Sequence, residues 1–82
     1  MPVANTSLVE RIARVIAGRV ISSNADGDDP SAGEKVDEVW QFYRDDAVSI
    51  LKTMREPDEA AASAGDVAVW EGMIEAALGE AR

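Results

Sequence analysis

Any chemistry done by this 82-residue chain must use carboxylates, hydroxyls and a few basic side chains, because it holds neither histidine nor cysteine. That removes the commonest general base, the commonest transition-metal ligand and every imidazole-dependent triad. Thiolate zinc sites and disulfides go with them. Three carboxylate pairs remain: Asp45–Asp46, Glu34–Glu38 and Asp58–Glu59. Residues adjacent in sequence point apart on a helix, so the first and last pairs do not converge on one bond. Glu34 and Glu38 share a face, but at a solvated helix start. Carboxylate di-iron bundles need Glu-x-x-His pairs, and no histidine is present. No glycine-rich phosphate loop follows a strand. The expectation is a protein that is not an enzyme and carries no cofactor and no metal.

The stretch that comes nearest to a metal site is SSNADGDDPSAG, residues 22–33. A calcium-binding EF-hand loop needs oxygen ligands at positions 1, 3 and 5, glycine at 6 and a bidentate glutamate at 12. Counting from Ser22, the ligands would be Ser22, Asn24 and Asp26, and Gly27 is correctly placed. Position 12 is Gly33, however, and Glu34 falls one residue late. Asp29 stands where an apolar residue is usual. A solvated loop rich in turn formers is the expected reading.

The elements that would position these side chains are all helical. Val36, Trp40, Tyr43, Ala47, Ile50, Leu51 and Met54 recur at steps of three and four, which sets them on one stripe of a helix over about 34–56. Pro57 ends it, because proline disfavours helical geometry in the residue before it. Val39 sits at the stripe's edge, and Phe42 is turned about 100° from its centre. Phe42 is expected to pack beneath the first helix or the 22–33 loop; the alternative is exposure for a partner. Upstream, Ser7 stands three residues before Glu10, a capping-box spacing that starts a helix over about 8–22. Its main stripe reads Leu8, Ile12, Val15, Ile16 and Val20, with Val9, Ala13 and Ala17 beside it. Gly18 inside this helix marks either a close crossing or nothing. Ser31 and Glu34 repeat the capping spacing at the second helix. Downstream, Pro57 opens a short helix over about 57–64, Gly65 stops it, and Asp66 caps a last helix over about 67–80. Its stripe is Trp70, Met73, Ile74, Ala77 and Leu78, with Val67 extending it. At helical spacing, Trp40, Tyr43 and Trp70 read as core, their polar atoms reaching the surface or a backbone acceptor.

Net charge is −8, unevenly spread. Arg11, Arg14 and Arg19 give residues 1–22 a charge of +2, while residues 23–82 carry −10. An acidic surface repels phosphate, so neither direct nucleic-acid binding nor membrane binding is expected. The arginines are expected to be a solvated face with weak pairs; the alternative is pairing with acidic groups on a later helix or on a second copy. No apolar run is long enough to span a membrane, and the N-terminus has no signal-peptide pattern. A cytoplasmic location is the default.

From Val39 to Glu80 the pattern W40-x-x-Y43-x-x-x-A47-x-x-I50-L51, then R55-E56-P57, then W70-x-x-M73-I74-x-A76-A77-L78, resembles a group of small uncharacterised helical proteins of bacteriophage and prophage regions. That resemblance implies a phage-type context and no particular activity. It covers about half of the chain and leaves out the first helix and the acidic loop.

The sequence therefore predicts one all-α domain over 1–82, a small bundle. Two helices form an antiparallel hairpin, and a third, continuous or broken near Gly65, packs on them. With 14 alanines and four aromatic residues, the core is small, and a second chain is one source of extra stability. The expected function is protein–protein association, with a partner or as a homodimer, through Val39, Phe42 and the first helix with Arg11, Arg14 and Arg19. The alternative is an acidic decoy that occupies the nucleic-acid site of a host protein.

Overall fold

The computed structural model describes residues 3–24 and 32–80. The described chain is all-helical: α1 (Leu8–Asn24), α2 (Ala32–Val39), a 3-10 turn (Trp40–Tyr43), α3 (Arg44–Met54), α4 (Glu59–Ala64) and α5 (Val67–Gly79). The Ser31 cap and most of the 22–33 loop lie outside the described residues.

α1 starts where the capping chemistry dictates. The Glu10 amide donates to Ser7 Oγ at 3.2 Å. The reciprocal half of the box does not form, because the Glu10 carboxylate accepts from Arg14 Nε at 2.8 Å instead.

The stripe from Val36 to Met54 is not one helix. Tyr43 (φ −105°, ψ 10°) leaves the α region, Val39 (φ −118°, ψ −7°) stays within it, and the four residues Trp40–Tyr43 tighten to 3-10 geometry. The sequence supplies a reason. Val39, Trp40, Phe42 and Tyr43 crowd a β-branched side chain and three aromatics into five positions, and each loses rotamer freedom against a preceding α turn. In 3-10 geometry residues i and i+3 eclipse. Trp40 and Tyr43 thus pack together against the core, while Phe42 points away and is 82% exposed. The expectation that Phe42 serves the domain's own core is therefore wrong.

α1 packs along α2, the 3-10 turn and α3 in turn. Gly18 lies beside Val36, Arg14 reaches Asp37 and Trp40, and Ile50 shares a groove with Leu8 and Ile12. Partner numbers fall as the chain advances, so the pairing is antiparallel. The surface of α1 that faces inward is the small one: Val9, Ala13 and Ala17 are buried. The larger stripe is rotated outward, with Leu8, Ile12 and Ile16 half-buried and Val15 65% exposed. Alanines here let the backbones approach closely, which a row of isoleucines would prevent.

Gly18 is not needed for that approach. A Cβ there would sit 3.8 Å from Val36 Cγ2, an ordinary contact. Gly18→Ala is expected to raise stability by about 0.5–1 kcal/mol through helix propensity alone, read as a higher urea midpoint with an unchanged slope.

Downstream of α3, Asp58 caps α4 by accepting from the Ala61 amide at 2.9 Å, so Pro57 precedes the helix instead of opening it. Gly65 adopts extended geometry and separates α4 from α5. Asp66 caps α5, accepting from the amides of Ala68 (2.9 Å) and Val69 (3.2 Å). α5 returns to α3 and buries Ile74 and Leu78 in a cluster with Val9, Ala13, Ala47 and Leu51. Two contacts pin this return. Trp70 Nε1 donates to the Met54 carbonyl at 2.7 Å, and Arg55 pairs with Glu75.

Candidate interaction surface

Every buried side chain among the described residues is apolar. The three carboxylate pairs all lie exposed, and no cluster of three metal-ligating side chains forms among the described residues. Asp45 and Asp46 occupy the first turn of α3, where negative charge meets the positive end of the helix dipole. No helix among the described residues is long and apolar enough to cross a membrane.

The arginines of α1 divide. Arg14 is committed inside the molecule. Its Nη1 donates to Asp37 Oδ1 at 2.6 Å, its Nε donates to Glu10, and its guanidinium carbon sits 5.3 Å from the Trp40 ring centroid. The arrangement ties α1 to α2 and the 3-10 turn and uses the planar fork as lysine could not. The hydrogen bond to Asp37, and then that to Glu10, raises the Arg14 pKa above its ordinary value. A raised pKa supports the fold at every pH below the ordinary arginine value and is lost only above it, so the cluster is not a switch near neutrality. Arg11 and Arg19 are exposed. The sequence favours a solvated face for all three, with pairing to a later helix as the alternative; Arg14 follows the alternative, through Asp37 of α2.

No family model, curated protein or solved structure matches this chain. Several large apolar side chains are exposed on its surface. Phe42 is 82% exposed on the 3-10 turn, with half-buried Val39 just before it. Val15 and Ile50 line an open groove with Leu8, Ile12 and Ile16, together with Arg11 and Arg14. Val67, Val69 and Met73 stand out from α5. Sequence reasoning missed this third area, because it assigned Met73 and Val67 to a core-facing stripe.

Proposed function

We propose that this protein is a helical interaction module with no chemistry of its own, acting by protein–protein association. The observation that carries the reading is the balance of apolar side chains. Nine large ones are exposed, against seven buried residues of which three are alanine. Scattered exposed apolar residues are ordinary, but contiguous ones mark contact surfaces. Phe42 is the strongest single anchor, since a rigid aromatic ring on a short turn brings much area at little entropic cost. The phage-type context rests on the pattern of residues 39–80.

Phe42 touches no part of the core that its loss would disturb. Phe42→Glu is therefore expected to leave helicity and thermal midpoint unchanged while abolishing association. Light scattering behind a sizing column, over a range of concentrations, reads the result. The native chain should rise above the 8.7 kDa of one copy, and the variant should not. A native mass fixed at one copy would assign the surface to a different protein. Phe42→Glu without effect on mass or on any partner would retire the surface.

A further inference from the structure

We propose that the cleft between α4 and α5 is a docking site for a basic amphipathic helix of another protein, which seats one bulky apolar side chain in it. The cleft has a volume of about 360 Å³ and is open along one side. Ala61 and Ala62 of α4 line one side and Val69 and Met73 of α5 the other, with Pro57 and Trp70 also in the lining. Its lining is almost wholly apolar, yet Val69 is 57% exposed and Met73 63% exposed. Trp70 is held in place by its bond to the Met54 carbonyl, so this part of the floor is preorganised and loses little entropy on binding. Met73 supplies an adaptable wall that repacks around differently shaped anchors.

Charge decides the occupant. Residues 56–80 carry seven carboxylates and no basic side chain. Glu56, Asp58, Glu59, Asp66 and Glu71 are all exposed around the two helices. The cations that flank this stretch in sequence are Arg55 and Arg82, and Arg55 is already paired with Glu75. An apolar slot bordered mainly by carboxylates selects a ligand that is apolar on one face and positive on its flanks, and steers its approach. A helix with anchors at i, i+3, i+4 and i+7 and lysines elsewhere meets both requirements.

This inference rests on the reading of the chain as a protein-binding module, but on a surface that does not include Phe42. The test uses the full chain and three synthetic peptides. One is a helix of leucine anchors and lysines, the second its scrambled isomer, and the third the same pattern with glutamate for lysine. Isothermal titration calorimetry gives affinity, and amide chemical-shift mapping gives position. The patterned basic peptide should bind at least tenfold more tightly than either control, shift the amides of residues 57–73, and weaken several-fold when ionic strength rises from about 0.05 to about 0.3 M. Met73→Glu should weaken it tenfold or more. So should Ala61→Phe, which fills the cleft from an exposed position. Phe42→Glu should leave it within twofold, which separates this site from the Phe42 surface. Equal binding of the scrambled peptide, or an undiminished affinity in both cleft variants, would overturn the proposal. So would a concentration-dependent mass that Met73→Glu abolishes, since the occupant would then be a second copy.

Discussion

Leu51→Ala is expected to destabilise this protein by about 3 kcal/mol, within the range of about 2–5 for buried leucines. Leu51 is fully buried and belongs to a cluster with residues of α1, α3 and α5. Its loss would open a void on which three helices border, and none can close it without breaking its other contacts. A chain of this length has a total stability of roughly 4–12 kcal/mol, so the change removes a large share. Thermal denaturation followed by far-UV circular dichroism should show the midpoint fall by about 15 °C. A fall of only a few degrees would mean that the cluster is not the centre of the fold.

The second large effect comes from adding atoms. Ala13 is fully buried on the inward row of α1, and Ala13→Leu places three further carbons where no space exists. Overpacking of this kind costs about 1–3 kcal/mol. The matched control is Val15→Ser, about half a turn from Ala13 at the centre of the buried row and 65% exposed, which should change stability by no more than about 0.5 kcal/mol. Urea titration of the two variants tests which face of α1 is inward. Were Val15→Ser the more damaging, the helix would be rotated from the orientation described.

That orientation shows what the sequence could and could not reveal. Helix starts set by local chemistry were legible: Ser7 and Asp66 cap α1 and α5 because a side-chain oxygen satisfies amides two or three residues on. The inward face of α1 was not. Ranking its residues by size favours Leu8, Ile12 and Val15, whereas closeness of approach favours Val9, Ala13 and Ala17. Only the second criterion applies where a 3-10 turn lies against the helix, and that turn is itself a tertiary compromise among Trp40, Tyr43 and Arg14. The continuity of the Val36–Met54 stripe concealed the break, since steps of three and four fit an α-helix and a 3-10 interruption alike. Phe42 is the aromatic of the run with no aromatic partner three residues away on either side, and that could have singled it out. The cleft beside α5 was hidden for another reason: no periodicity shows that alanines at 61 and 62 leave a neighbouring methionine uncovered.

The six residues of α4 hold one half-buried side chain, Ala62, and expose the other five. Its amides at Ala61 and Ala62 are closed by Asp58 alone, through side chain and backbone. Local opening free energy follows burial, so hydrogen exchange along the chain should be graded. α4 amides should exchange fastest among the helices, while those near Ala13 and Leu51 wait for global unfolding. One wall of the cleft can thus swing without disturbing the Leu51 cluster. Such a gradient would give the described residues a firm Leu51 cluster and a compliant α4.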